Sequence, residues 1–132
     1  MYEELKRFSD ADLAARMLNY IDRTDTLMKL ISDSLEHKSS RIISDRIHYE
    51  YRELKEEIKE DAHYCDLVRN KDSRSRVYLH FFIPSIMEAS AYGFMSPTNS
   101  QINQKFFSCV YDAHYKLTKY YSRDEWEAIS NI

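Results

Sequence analysis

Apolar residues recur every three or four positions along most of this chain, which is the spacing of one face of an α-helix. The clearest run begins at Ile43 and ends at Val68, and its steps are four, four, three, four, four, three and three residues. It predicts an amphipathic helix about 39 Å long at 1.5 Å per residue. The apolar positions of this run are Ile43, Ile47, Tyr51, Leu54, Ile58, Ala62, Cys65 and Val68.

Two shorter runs precede the long helix. Ser9 can cap a first helix that ends near Arg23, and Thr24 or Thr26 can cap a second one that reaches Leu35. The polar residues 37–40 (His-Lys-Ser-Ser) then predict a break before the long helix. The alternative is that the second and third helices form one continuous rod.

The most apolar stretch of the chain is Val77–Met95, and its side chains are apolar on nearly every side. Such a helix belongs at the centre of a bundle, so we predict a central helix over about residues 76–95. Pro84 lies inside it and predicts either a kink or a new helix that starts there. A β-strand over residues 77–83 is the less favoured alternative, because nothing else in the chain offers it a partner.

Turn and capping residues delimit the C-terminal part. Gly93 and the following Ser96-Pro97 predict the main turn, after which apolar positions from Ile102 to Tyr121 outline a fifth helix. Ser122-Arg-Asp-Glu125 has the pattern of a capping box, so we predict that it starts a short last helix with Trp126 on its apolar side.

The fold class follows from these runs and from the rarity of turn-forming residues. The 132 residues include one glycine and two prolines, whereas a β-rich chain of this length needs several residues with positive φ for its hairpins. We therefore predict an all-α protein, a single compact bundle of five or six helices forming one domain over residues 1–132.

Composition and charge exclude several classes of protein. The chain is 43% apolar and 31% charged with a net charge of −3, which is ordinary for a soluble protein and argues against a surface that binds nucleic acid throughout. Cys65 and Cys109 form no CxxC pair, so we expect a reducing, cytoplasmic environment. The pattern predicts neither a membrane span nor a secretion signal.

Histidines raise the question of a metal site. Glu60-x-x-His63 places a carboxylate and an imidazole on adjacent turns of one helix, as each half of a di-iron site requires. The second copy must come from another helix, but the only similar pattern, Asp45-x-x-His48, lies about four turns away on the same helix. We therefore expect no metal and no cofactor.

A basic segment connects the long helix to the central one. Guanidinium groups beside the start of a helix can hold a phosphate or a carboxylate, so this segment is the first candidate binding patch. Its basic residues are Arg69, Lys71, Arg74 and Arg76.

The same segment contains an arginine followed by a histidine, as Arg74-Ser-Arg-Val-Tyr-Leu-His80. A second such spacing runs from Arg41 to His48. An all-helical domain with this spacing resembles the HEPN superfamily of helical ribonucleases, whose Arg-x4-6-His motif acts in RNA cleavage across a dimer. The family favours a polar residue directly after its arginine; Ser75 meets this weakly and Ile42 does not. The resemblance implies Arg74 and His80 as catalytic residues.

Eleven tyrosines are the most unusual feature of the composition. Tyrosine is enriched at protein interfaces and at surfaces on which nucleic-acid bases stack. Tyrosines and lysines alternate on more than one face of the predicted fifth helix, which is more than one buried stripe can take up. We predict an interaction patch there, formed by Tyr111, Tyr115, Lys116, Lys119, Tyr120 and Tyr121.

Two functions are compatible with this sequence. The leading hypothesis is a protein that is not an enzyme and acts as a regulator, adaptor, inhibitor or immunity-type protein, by binding another protein and, as a homo-oligomer, itself. It is favoured because no phosphate-binding loop or metal spacing is found and because tyrosines are abundant. The alternative is a HEPN-like ribonuclease or an RNA- or DNA-binding protein that uses the Arg69–His80 segment.

Overall fold

A computed structural model describes residues 9–36, 41–68, 73–92 and 100–132, and within these ranges every regular element is helical. The prediction of an all-α bundle is therefore confirmed. Three long helices are α-helical throughout: α1 (Asp10–Glu36), α2 (Arg41–Val68) and α4 (Ser100–Tyr120). The third helix, α3, joins three consecutive stretches, which are α-helical Ser73–Arg76, π-helical Val77–Phe82 and α-helical Ile83–Tyr92. The last helix, α5, is Arg123–Ser130.

The first helix differs from the prediction, because α1 continues through Thr24 and Thr26, where a second helix was expected to start. Both hydroxyls bond inside the helix: Thr24 Oγ1 donates to the Tyr20 carbonyl at 2.8 Å, and Thr26 Oγ1 to the Asp22 carbonyl at 3.0 Å. A threonine that bonds the carbonyl four residues back is tolerated within a helix instead of capping one. At the predicted start, Asp12 N donates to Ser9 Oγ at 3.1 Å, which confirms Ser9 as the cap.

The long amphipathic helix is confirmed as α2, whose stripe of Ile47, Tyr51, Leu54 and Ile58 is buried. Asn19 Nδ2 in α1 donates to Glu57 Oε1 in α2 at 3.0 Å. A contact between residues so far apart in sequence requires the chain to reverse direction, so the alternative of one continuous rod is wrong. The predicted break at residues 37–40 lies outside the described residues.

The third helix is buried, as predicted, but not on every side. One stripe is exposed at Arg76, His80, Pro84 and Glu88, while Tyr78, Phe82, Ser85, Ile86 and Ala89 on other sides are buried. No strand forms over residues 77–83. The predicted turn at Gly93 and Ser96-Pro97, and the end of the expected helix at residues 93–95, lie outside the described residues.

The helix passes through Pro84 by way of the π-helical stretch. Ile83 N–H donates to the carbonyl of Tyr78, five residues back, which is the bond of a π-helix. Proline has no N–H, and its ring clashes with the carbonyl four residues earlier, so an ordinary helical turn is disfavoured just before it. Pro84 lies in the first turn of the Ile83–Tyr92 stretch, as one alternative predicted, yet no separate element begins there.

Aromatic rings fill the centre of the bundle. Tyr20 in α1 stacks on Tyr78 and Phe82 in α3, with ring centroids 5.6 and 5.4 Å apart, and all three side chains are fully buried. Tyr51 in α2 meets Phe106 in α4 edge to face at 4.9 Å. Rings from four helices thus form one core. Contacts between aromatic rings stabilise the packing of these helices more than the burial of apolar surface alone would.

The predicted fifth and last helices are confirmed as α4 and α5. Ser122 and Glu125 form the complete capping box at the start of α5. Buried Trp126 donates its Nε1–H to the Leu117 carbonyl at 2.9 Å, so it satisfies a carbonyl that the end of α4 leaves without a helical partner. Arg123 binds both carboxylate oxygens of Asp22, at 2.6 and 3.3 Å, and holds α5 against α1.

His114 forms a polar contact between α1 and α4. Its Nδ1 lies 2.8 Å from the hydroxyl of Thr24, which is fully buried. Burial lowers the pKa of His114, and the nearby carboxylates of Asp25 and Asp22 oppose this effect without reversing it. The fold therefore favours the neutral imidazole.

We expect the free energy of unfolding to fall as the pH decreases below about 6.5, the ordinary pKa of histidine. In this range the unfolded chain binds a proton at His114 that the folded chain resists, and the loss is complete below the lowered folded pKa. Urea unfolding at pH 5, 6, 7 and 8 measures this dependence. The variant H114Q keeps a polar side chain but does not titrate, so a slope that H114Q leaves unchanged would contradict the assignment.

In the part of the chain that the structure describes, no helix combines the length and the apolar character needed to cross a membrane.

Candidate interaction surface

Three aromatic rings form a row along one side of α4, in which Phe107 is partly buried against the core and Tyr111 and Tyr115 are exposed. Phe107, Tyr111 and Tyr115 are spaced by four residues, which makes each the neighbour of the next on the helix surface. Adjacent ring centroids are 6.4 Å apart in both pairs, and the interplanar angles are 23° and 9°. The Nζ of Lys119 lies 5.8 Å from the Tyr115 ring centroid and continues the row. We call Phe107, Tyr111, Tyr115 and Lys119 the tyrosine ladder.

The ladder leaves large aromatic surfaces in water. Tyr111 and Tyr115 are 53% and 46% exposed, whereas the core-facing stripe of the same helix is buried at Phe106, Val110 and Leu117. An amphipathic helix normally presents charged and polar side chains on its outer face. Helix α4 thus has an apolar side that the rest of the described chain covers and an aromatic side on which Tyr111 and Tyr115 remain exposed.

A pocket of about 340 Å³ opens beside the C-terminal end of the ladder. Its walls come from the π-helical stretch of α3 and the end of α4. Phe81 stacks on Tyr120 with ring centroids 5.1 Å apart, and Tyr121 packs against Trp126 at 4.8 Å. We call this the aromatic pocket; it is lined by Arg76, Val77, Phe81, Tyr120 and Tyr121.

The structure brings together residues of the two patches that the sequence predicted separately. Arg76, from the basic segment, lines the same pocket as Tyr120 and Tyr121 from the last turn of α4 and the residue after it. Lys119 Nζ lies 5.4 Å from the Tyr120 ring centroid, so a second cation borders this region. Two predicted members, Arg69 and Lys71, lie outside the described residues.

Two other predicted cations are paired within the chain. Arg74 Nη1 lies 3.2 Å from Asp10 Oδ2 at the start of α1. Lys116 Nζ lies 3.0 Å from Asp112 Oδ2 and donates to Ser85 Oγ at 2.9 Å. Burial alone would raise the pKa of Asp112, but its hydrogen bonds with Lys116 and Ser85 lower it, which keeps Asp112 charged and the pair intact.

The two residues that the ribonuclease resemblance implies are not in contact with each other. The described contacts of Arg74 join it to α1, while His80 lies exposed in the π-helical stretch. Arg41 has no described side chain, so the second spacing, to His48, lies outside what the structure describes. The Arg74–His80 pair stays a prediction.

A second pocket of about 290 Å³ lies between α3 and α4 and contains the thiol of Cys109. Burial raises the pKa of this thiol, and the carboxylates of Glu88 and Asp112 raise it further. A thiol held in its protonated form is a poor nucleophile. No group of three His, Cys, Asp or Glu side chains that could hold a metal occurs within residues whose side chains are described, and the His63 side chain falls outside them.

Sequence reasoning missed Phe81 and Phe107. Phe107 could have been found, because it stands four residues before Tyr111 and therefore next to it on the surface of α4. No sequence signal points to Phe81, since its stacking on Tyr120 depends on how α3 packs against α4.

Comparison of the chain with family models, curated proteins and solved structures finds no match. Its function therefore has to be argued from the surface itself, because a helical bundle hosts many unrelated functions.

Proposed function

We propose that this protein is not an enzyme and binds another protein through the tyrosine ladder, as a regulator, adaptor, inhibitor or immunity-type protein. The observation that carries the proposal is the row of stacked rings on the outer face of α4, with Tyr111 and Tyr115 about half exposed. Tyrosine and lysine side chains that contact each other before a partner arrives lose less conformational freedom on binding. Tyrosine is also among the residues that contribute most to binding at protein interfaces.

Charge favours a protein partner over a nucleic acid. Binding to nucleic acid is dominated by cations that neutralise phosphates. Arg74 and Lys116 are already paired with Asp10 and Asp112, and the chain as a whole carries a charge of −3. The ladder itself contributes one cation, Lys119.

The proposal also includes self-association and a cytoplasmic location. A second copy of the chain is a possible partner for an exposed aromatic row, since most soluble oligomers are formed from identical chains. A reducing compartment agrees with the free thiol of Cys109 and with the absence of a CxxC pair in the sequence.

We expect the double variant Y111A/Y115A to lose its protein partner while it stays folded. Two exposed tyrosines that contribute at an interface account for a loss in affinity of at least about tenfold. The measurement is affinity purification from cells of the source organism with quantitative mass spectrometry, combined with molar mass by light scattering to detect self-association.

The matched control is Y49A, because Tyr49 in α2 is 54% exposed and lies outside the ladder. Proteins retained by both wild type and Y49A, but not by Y111A/Y115A, support the proposal. If all three forms recover the same proteins in the same amounts and have the same molar mass, the ladder is not the binding surface.

The alternative of an RNA-directed activity at residues 69–80 makes a different prediction. If it holds, R74A and H80A abolish RNA cleavage, or RNA binding weakens steeply with added salt. We expect neither variant to change the recovery of the protein partner, and a partner complex whose affinity changes little between 50 and 200 mM salt.

A further inference from the structure

The aromatic pocket has the size and lining of a binding site for an apolar group. A volume of about 340 Å³ is at the lower end of the range of ligand pockets, about 300–1,000 Å³. Four of its five lining residues are apolar or aromatic, and the stack of Phe81 on Tyr120 joins α3 to α4 at this place. A side chain or a small ring can enter it, whereas a helix cannot.

The positive charge at the pocket indicates that the ligand carries a negatively charged group beside its apolar group. Arg76 is exposed, and it forms no ion pair with any residue that the structure describes. Its neighbour Arg74, in contrast, is paired with Asp10. Lys119 adds a second positive charge beside Tyr120, and no acidic residue lines the pocket. A guanidinium that no described acidic residue pairs, beside an apolar pocket, complements a carboxylate, which it can bind with two parallel hydrogen bonds.

The π-helical stretch contributes directly to the pocket. Val77 and Phe81 belong to it, and Arg76 immediately precedes it. The six π-helical residues interrupt the α-helix on either side, and such interruptions are frequent at functional sites. The π-helical stretch and the Arg76 guanidinium therefore coincide at one place in the fold.

We propose that the aromatic pocket binds a large apolar side chain of the partner protein that is followed or preceded by Asp or Glu, whose carboxylate pairs with Arg76. This inference rests on the proposed function, since it names the part of the partner that is recognised. The apolar side chain is an anchor of the kind found at the centre of interfaces, and the charge pair sets its orientation.

Two capped dipeptides test the proposal as probes of equal size. N-acetyl-Phe-Glu-amide carries the carboxylate, and N-acetyl-Phe-Gln-amide replaces it with an uncharged amide. Both are titrated into the ¹⁵N-labelled full chain at low salt, and amide shifts are followed by NMR. We expect the Glu peptide to bind about three to ten times more tightly than the Gln peptide, with the largest shifts at Val77, Phe81, Tyr120 and Tyr121.

Two variants separate the charge from the apolar wall. R76Q should reduce the preference for the Glu peptide, leaving only the attraction of Lys119, and should leave the affinity for the Gln peptide unchanged. The matched control R52Q alters an exposed arginine of α2, away from the pocket, and should keep the preference. F81A removes the apolar wall, so both peptides should bind about tenfold more weakly while the remaining amide spectrum stays that of the folded protein.

Several outcomes would overturn the proposal. Equal affinity of the two peptides for the wild-type chain removes the role of the carboxylate, and a preference that R76Q leaves unchanged removes the role of Arg76. No binding of either peptide, or shifts located elsewhere, removes the pocket. A wild-type dimer that R76Q dissociates makes a second copy the occupant instead of a partner protein.

Failure here can be told apart from failure of the proposed function. Tyr111 and Tyr115 do not line the pocket, so Y111A/Y115A should bind the Glu peptide as the wild type does. If that variant loses the protein partner while the peptides never bind, the ladder remains the binding surface and the pocket is not part of it.

Discussion

The substitution W126A is expected to lower the free energy of unfolding by about 3–5 kcal/mol, the usual cost of removing a fully buried tryptophan. Trp126 is completely buried, packs against Tyr121 and is the only described large side chain of α5 in the core. Its removal leaves a cavity that α1 and α4 cannot fill without moving. A domain of this size is stable by about 5–15 kcal/mol, so the loss is a large part of the total.

W126F separates packing from hydrogen bonding. Phenylalanine keeps much of the buried area but cannot donate to the Leu117 carbonyl, which would then be left without this partner at the end of α4. We expect W126F to cost about 1–3 kcal/mol. The measurement is urea unfolding followed by circular dichroism, because Trp126 is the only tryptophan and its substitution removes the fluorescence signal.

The control is I132A, which alters a side chain that is 91% exposed near the same helix and is expected to change stability by less than about 0.5 kcal/mol. If W126A costs less than about 1.5 kcal/mol, α5 does not stabilise the bundle through this residue.

The second large effect concerns the contact between Tyr20 and Asp61. Asp61 is a carboxylate with only 7% of its surface exposed; the Tyr20 hydroxyl donates to its Oδ2, and Arg16 Nε lies 3.3 Å from its Oδ1. Burial raises the pKa of Asp61, and the contacts with Tyr20 and Arg16 oppose this rise only in part. The pKa of Tyr20 is itself held far above its usual range, first by burial, so Tyr20 remains a neutral donor.

We expect Y20F to lower the free energy of unfolding at pH 7 by about 1–3 kcal/mol, because the buried carboxylate loses its neutral donor. The folded pKa of Asp61 lies above its unfolded value of about 3.9, so its contribution to stability is complete below that pH and is lost as the pH rises through the folded pKa. Y20F raises the folded pKa further. Its cost should therefore be smaller at pH 4 than at pH 7.

Urea unfolding of wild type and Y20F at pH 4, 5.5 and 7 measures this difference. The background variant D61N removes the ionisation, so in D61N the cost of adding Y20F should not depend on pH over this range. If Y20F lowers the free energy of unfolding by the same amount at all three pH values in both the wild-type and the D61N background, Asp61 is not the group that the Tyr20 hydroxyl stabilises.

Most of the helices could be predicted from the sequence, because the features that define a helix involve residues close together in the chain. The step of three or four residues places Ile47, Tyr51, Leu54 and Ile58 on one side of α2 whatever the rest of the chain does. The capping box at Ser122 depends on four consecutive residues. Thr24 shows where prediction from local sequence stops. A threonine can either cap a helix or form a hydrogen bond within one, and the contact of Thr24 with His114 involves a residue on another helix.

The candidate surface could be predicted in part. Helix α4 has more tyrosines and lysines than one buried stripe can contain. The helical spacing places Tyr111 and Tyr115 outside that stripe, so their exposure could be predicted. The pairing of Arg74 with Asp10 could not be predicted, because it joins residues on different helices, whereas the pair of Lys116 with Asp112 lies four residues apart on α4 and could have been predicted. These pairings remove two cations from the predicted patch.

By itself, the sequence determined the helical class, the stripes that α1, α2 and α4 bury and the outward position of Tyr111 and Tyr115, because these depend on residues within one or two turns. Only the tertiary structure decided that Arg76 meets Tyr120 and Tyr121 at one pocket and that a π-helical stretch, Val77–Phe82, comes just before Pro84. The pocket depends on the packing of α3 against α4, which sums many weak contacts between residues distant in sequence, and no local pattern encodes that sum.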